Sequence, residues 1–374
     1  MARRNDAGRR RRPTIWLRAL LGALFACAAC LPAPALAKDL LYLGGMHKVV
    51  VVDGDTDEVL GDIRIKGFPL YLVPDENKQR LYVVAGGREL IHVIDLAERK
   101  VIDTLSFSVP GQRQARVYGL VVDAATNRMY AVIQPSVFIG MEDIGYEAPY
   151  VAVVDLASKK TTTRIKVPMG VSYLAWSGDR KTLYAIGHDL YHIDVPSLRI
   201  RETTPIAHPP DPGRGGTVFI AEWFHPESSN GLGAIVYGTA DPATSLEQTG
   251  LLLLDVNTGN IDFLDIGPPP RISYHFSAVV SPDRKWAYMV FNNLSVIDLE
   301  RRKIVDIVDV LESHYAVNIS SDGKKVYVAG GGASMSVIDA ATRKILKRVI
   351  LPADVWDFIV IPGAPSAGTV PGKK

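Results

Sequence analysis

The sequence predicts an all-β chain folded as a seven-bladed β-propeller, with four antiparallel strands per blade and the first blade closed by the C-terminal strand. Three observations lead there. First, a short apolar strand ending in Asp recurs seven times: "VVVD" (Asp53), "HVID" (Asp95), "AVVD" (Asp155), "YHID" (Asp194), "LLLD" (Asp255), "SVID" (Asp298) and "SVID" (Asp339). The steps are 42, 60, 39, 61, 43 and 41 residues, and a period near 40 is the signature of propeller blades. Second, each phrase sits among strands rich in Tyr, Val and Ile, such as "LYVVAGG", "LYAIGH" and "VYVAGG", separated by Asp-containing turns. Third, the ends are out of phase. The first period supplies three strands and the last leaves one over.

Residues 1–37 come first and stand apart. A basic stretch, "RRNDAGRRRRPTIWLR", precedes an apolar one, "ALLGALFACAACL", and a small-residue site, "PAPALA". That order reads as a cleavable signal peptide, cut after Ala37, and implies a periplasmic product. A lipoprotein signal ("LFAC") and a twin-arginine signal match less well. The chain's two cysteines, Cys27 and Cys30, both fall in this leader. Residue 31 is Leu, so the pair is no haem-attachment motif. The leader also carries seven Arg and one Asp. Of 42 basic and 40 acidic residues, 35 and 39 then remain, net −4. The mature chain lacks the electrostatic footprint of a nucleic-acid binder, and no second apolar run is long enough to span a membrane.

Residues 38–363 are the propeller. "LLYLGG", "KVVVVD" and "VLGDIRI" open the first blade. Later blades repeat strand, turn ("SGDRK", "SPDRK", "SSDGK"), strand, hairpin, Asp phrase, turn and outer strand. The seven Asp carboxylates are read as caps on the turns that follow them. The leftover strand, "VWDFIVIP" (355–361), is expected to complete the first blade and lock the ring, leaving few exposed edges. Residues 364–374, rich in Gly and Pro, read as a disordered tail.

Three inserts break the period: 135–149, 206–218 and 237–250. The first and third join the second and third strands of a blade; the second joins one blade to the next. All three therefore emerge on one face, where function concentrates. The first is apolar, with Val137, Phe138, Ile139, Met141, Ile144 and Tyr146, and reads as a partner surface or a satellite core on its own blade. Aromatic and histidine residues gather where inner strands begin: Tyr71, Tyr118, Tyr173, Tyr274, His275, His314, Tyr315 and Trp356. They pack between blades or frame a pocket for an apolar ligand. No nucleophile elbow, phosphate loop or dinucleotide fingerprint occurs. His188 and His192 sit in a strand–turn–strand context, where a spacing of four does not align side chains as it does on a helix. No catalytic or metal-binding residue is expected.

Four stretches carry a family resemblance: "VSYLAWSGDRKTLYAIGHDLYHID" (171–194), "EQTGLLLLDVNTGNI" (247–261), "FSAVVSPDRK" (276–285) and "SHYAVNISSDGKKVYVAGG" (313–331). They resemble the β subunit of quinohemoprotein amine dehydrogenase, a YVTN-type propeller. The resemblance implies a periplasmic heterotrimer that oxidises primary amines to aldehydes. A dihaem cytochrome subunit would carry c-type haem. A small subunit would carry cysteine tryptophylquinone and the catalytic Asp. This chain would bind no cofactor covalently. It would hold the quinone-bearing small subunit and wall the substrate pocket, with Tyr118, Tyr173, His275, Tyr315, Trp356, Phe138 and Tyr146 as pocket or interface residues. "HPPDPGRGG" departs from the family pattern. Two alternatives are the heavy chain of a tryptophan-tryptophylquinone amine dehydrogenase and a stand-alone YVTN-type binding protein. A lactonase-like enzyme would need a metal or acid/base cluster in the channel.

Overall fold

The structure, a computed structural model, describes residues 39–363 except 76, 78, 112, 139–143, 208–216, 221–222, 241–246, 268–274, 311 and 313. The leader with Cys27 and Cys30, the tail 364–374, Ile139, Met141, Tyr274, the Phe138 side chain and most of the 206–218 insert lie outside the described residues.

Strands follow one another almost without interruption. β1 (Asp39–Gly45), β2 (Lys48–Asp53) and β3 (Val59–Arg64) open the chain. The second blade is β4 (Tyr71–Pro74), β5 (Arg80–Ala85), β6 (Leu90–Asp95) and β7 (Lys100–Ser106). The third holds β8 (Arg113–Asp123), β9 (Arg128–Phe138), β10 (Ile144–Tyr146), β11 (Tyr150–Asp155) and β12 (Lys160–Lys166). The fourth is β13 (Tyr173–Trp176), β14 (Thr182–Ile186), β15 (Asp189–Asp194) and β16 (Arg199–Pro205). The fifth is β17 (Thr217–Ile220), β18 (Leu232–Ala240), β19 (Glu247–Asp255) and β20 (Asn260–Gly267). The sixth is β21 (Ser277–Val280), β22 (Trp286–Val290), β23 (Asn293–Asp298) and β24 (Lys303–Asp309). β25 (Ala316–Ile319), β26 (Lys325–Ala329), β27 (Gly332–Asp339) and β28 (Ile345–Pro362) end the chain.

The ring closes as the sequence predicts. β28 pairs with β27 through Ile345–Ile350, then with β1 through Val355–Pro362. One strand is thus the outer edge of the seventh blade and the inner strand of the first. Leu40 pairs with Ile361 and Tyr42 with Ile359.

Burial explains the strand sequences. The middle strands of a blade are covered on both faces by neighbouring blades, so they run apolar without alternation; Val49–Val52 of β2 are all buried. Outer strands alternate, as in β7, because one face meets water. Each core cluster bridges blades. Tyr42, Val49 and Val51 pack against Leu81, Val83 and Ile94, each side chain contributing about 1.5–3 kcal/mol.

The seven Asp residues are turn caps. Asp95 accepts a hydrogen bond from Glu98 N–H at 2.8 Å, Asp155 from Ser158 at 2.7 Å, Asp298 from Arg301 at 2.8 Å and Asp339 from Thr342 at 2.6 Å. Asp53, Asp194 and Asp255 do the same. Four residues after each Asp the chain turns left-handed, at Asp57, Arg99, Lys159, Leu198, Gly259, Arg302 and Arg343. Only one of these is Gly, which is unusual because other residues lose about 1–2 kcal/mol there. Four of the six exceptions reach the preceding blade around the ring: Asp57 to Lys325 at 2.9 Å, Lys159 to Asp103 at 2.8 Å, Arg302 to Asp262 at 2.6 Å and Arg343 to Asp306 at 3.2 Å.

Candidate functional site: an axial channel and an apolar edge

Inner strands surround a channel of about 480 Å³ along the ring axis. Its walls are apolar: Leu120 and Val122 of β8, Leu174 of β13, Val256, Ile319 of β25, and Ile359 and Ile361 of β28. The lining extends to Asp75, Arg180, Ser321 and Pro362, at the ends of inner strands or in the tight turns after them. We call that end lower and the insert-bearing face upper.

The fifth blade departs from the pattern at its inner strand. β17 pairs only with the upper half of β18, from Thr217–Thr239 to Ile220–Val236. Below it, the chain forms a 3-10 turn, Pro226–Ser229, with Pro in the first turn and Asn230 left-handed at its end. Gly231 N–H bonds Pro226 O at 2.7 Å. Arg284 of the sixth blade clamps the turn, donating to Ser229 O at 3.0 Å and Asn230 O at 2.6 Å while pairing with Asp255 at 2.8 Å. This irregular segment buries Trp223, Phe224 and His225.

Phe224 packs edge-on against Tyr173, ring centres 6.2 Å apart, and Tyr173 against Tyr71 at 5.2 Å. Phe224 N–H donates to the Tyr173 hydroxyl at 3.2 Å. Tyr118 sits at a bulge in β8, beneath the Arg88 guanidinium at 4.8 Å. Gly119 beside it allows close approach of the next blade, since a Cβ there would lie 2.7 Å from Ser172 O. Tyr118 and Tyr173 share a small cleft with Tyr71 and Arg88.

A second aromatic group joins Trp356, Tyr315, Phe276, Phe291 and Trp223. Tyr315–Trp356 centres are 4.9 Å apart, Phe276–Tyr315 5.2 Å and Trp223–Trp356 5.7 Å. His275 stands apart, its Nε2 3.0 Å from Ser295 Oγ. The aromatics that sequence reasoning gathered into one ring therefore form two clusters, which meet at the consecutive residues Trp223 and Phe224. His192 bonds Thr204 Oγ1 at 3.0 Å. No group of metal-ligating residues forms among the described residues.

His225, 5% exposed, is one of the polar residues of the channel lining. Its Nδ1 lies 3.0 Å from Glu227 Oε1. Burial disfavours its charged form, but the hydrogen bond and charge of Glu227, with Asp357 behind, raise its pKa above the ordinary histidine value. Burial, Glu227 and Asp357 all push the Tyr71 phenol upward. Sequence reasoning missed Trp223, Phe224, His225 and Glu227. The signal was "EWFHPES", where an inner strand should be short and apolar.

Among the described residues of the 135–149 insert, 135–138 and 144–146 are strand. β9 continues past its blade to Phe138. There it pairs on one side with Arg113–Val117 of β8, and on the other with β10, Ile144 facing Phe138 and Tyr146 facing Ser136. Glu89 anchors the base, accepting from Ser108 Oγ and Gln114 Nε2 at 2.7 Å each. Arg113 reaches Glu147 at 2.6 Å. At the outer side, Ile144 is 52% and Tyr146 67% exposed. The 237–250 insert likewise extends β18 and β19 as a hairpin, paired out to Ala240–Glu247.

No protein-family model matches the chain, and no curated protein sequence matches it. Solved structures do. Hydrazine synthase of Kuenenia stuttgartiensis is 16% identical, with TM-score 0.54 over 82% of this chain and 90% of that one. Apo AztD of Citrobacter koseri is 17% identical, with TM-score 0.57 over 89% and 100%. The dihydro-heme d1 dehydrogenase NirN, in complex with DHE, is 12% identical, with TM-score 0.54 over 88% and 76%. These are β-propeller proteins, and at such identity the likeness establishes the fold alone.

Proposed function

We propose that this chain is the propeller subunit of a periplasmic amine dehydrogenase of the quinohemoprotein type. It docks a quinone-bearing small subunit and a dihaem cytochrome and walls the pocket in which a primary amine is oxidised. The four resembling stretches point to this assembly. The observation that carries the docking role is the β8–β9–β10 extension, a paired three-stranded edge that holds Ile144 and Tyr146 in solvent. Paired strands position such side chains at little cost in lost freedom on binding. The partner's quinone would take two electrons from the amine, and the haems would carry them away. This chain's share is to orient the partner and exclude water from the site.

The test is purification of the complex from its native host with wild-type chain or with Ile144→Ser/Tyr146→Ser. Wild type should bring down a haem-coloured partner. The double variant should melt at the wild-type temperature, because both side chains are exposed, but lose the partner by about tenfold or more in affinity. A wild-type chain that purifies alone and colourless overturns the reading. A quinone partner without haem would point instead to the heavy chain of a tryptophan-tryptophylquinone enzyme.

A further inference from the structure

Residues of the channel lining carry buried polar atoms that lack partners. His225 Nε2 and Trp176 Nε1 are both buried and have no partner among the described residues. Asn318, also in the lining and buried, uses its Oδ1 to accept from Ile319 N–H at 2.9 Å, and its amide NH2 has no bond among the described residues. Each nearby carboxylate already accepts through one oxygen. Glu227 Oε1 holds His225 Nδ1 at 3.0 Å. Asp75 Oδ1 caps its turn, accepting from Gln79 N–H at 2.8 Å and Arg80 N–H at 3.2 Å. Asp357 Oδ1 accepts from Phe358 N–H at 2.8 Å. A buried donor without an acceptor costs about 1–3 kcal/mol, and here two such groups and an amide share one cavity.

We propose that the axial channel binds a small organic carboxylate with an aryl or branched alkyl body. Its carboxylate would accept hydrogen bonds from His225 Nε2–H, with Trp176 and Asn318 as further donors, and its body would lie against Leu174, Ile319 and Ile359. Glu227 fixes the imidazole through Nδ1, as a carboxylate orients a ligating histidine, and favours the charged ring, the form in which Nε2 donates. Asp357 adds to that effect, while the Tyr71 phenol stays neutral. A charge-assisted hydrogen bond is the strong kind. The volume suits a ligand of this class. The channel is distinct from the exposed edge of the proposed subunit docking, and the inference stands without it.

The experiment titrates the mature chain, with whatever partners co-purify, with phenylacetate by calorimetry and by tryptophan fluorescence. Benzyltrimethylammonium is the control, a cation with a similar body that a quinone cannot oxidise. Phenylacetate should bind saturably, more tightly than the cation, and change the fluorescence. His225→Leu should weaken it about tenfold. Trp176→Phe, a milder change, should weaken it measurably even if the histidine variant fails to fold. The proposal is overturned if phenylacetate shows no saturable binding, if both variants bind as wild type, or if the cation binds more tightly. None of these results bears on whether a haem partner co-purifies.

Discussion

His225 and His275 lie on neighbouring blades, both buried, with opposite charge tendencies, and the difference is a carboxylate. His225 faces Glu227 and is pulled up. His275 meets a hydroxyl, Ser295 Oγ, and burial pushes its pKa down to about 4. The folded state of His275 therefore binds its proton more weakly than the unfolded state does. Its contribution to stability is full above pH 6.5 and is lost as pH falls from 6.5 toward 4, on the order of 3 kcal/mol. His192 and His314, also lowered, act in the same direction. Urea unfolding at pH 7.0 and 4.5 separates them (both values being about half a unit or more from His275's limits). His275→Gln should flatten the pH dependence relative to wild type. An unchanged slope would mean that His275 is not the buried neutral group described here.

At the scale of elements, the turns after the Asp phrases trade strain against contact. Lys159 holds a left-handed conformation and in return reaches Asp103 across the blade gap. Both side chains are partly exposed, and such pairs contribute about 0–1 kcal/mol. Relief of the conformation contributes about 1–2 kcal/mol, less the chain entropy glycine adds. Relief wins narrowly, so Lys159→Gly should raise stability by about 0.5 kcal/mol, read from the denaturant midpoint. A fall of that size would mean the ion pair outweighs the strain. Elements of this kind were legible in the sequence. "VVVVD" announces a strand covered on both faces and a cap, because local residues decide both. The β8–β9–β10 extension was half legible. Its apolar content at 137–146 marked a surface, but strand pairing 16 to 24 residues back, to Arg113–Val117, has no local signature. The channel wall was not legible. His225 enters the wall only because a 3-10 turn replaces the lower half of a strand.

At the scale of the molecule, closure by β28 ties the two ends of the propeller together. Every pair between β1 and β28 spans nearly the whole described chain, and such contacts form late and slowly. A chain truncated after Asp354 keeps the outer half of β28 but loses the inner strand of the first blade. It should expose the edge of β1 and replace one calorimetric transition with a broader one at lower temperature. A truncated chain that melts as sharply as the full one would show that the ring does not depend on its last strand.

The notch in the fifth blade has a consequence of its own. Seven equal blades would offer a molecule on the axis seven equivalent poses, and none would be preferred. With β17 stopping halfway and His225 standing in its place, the rotational degeneracy is removed. Whatever enters the channel meets inner strands of five blades and, in the fifth blade, a turn instead of a strand, so the ring acquires a direction around its axis.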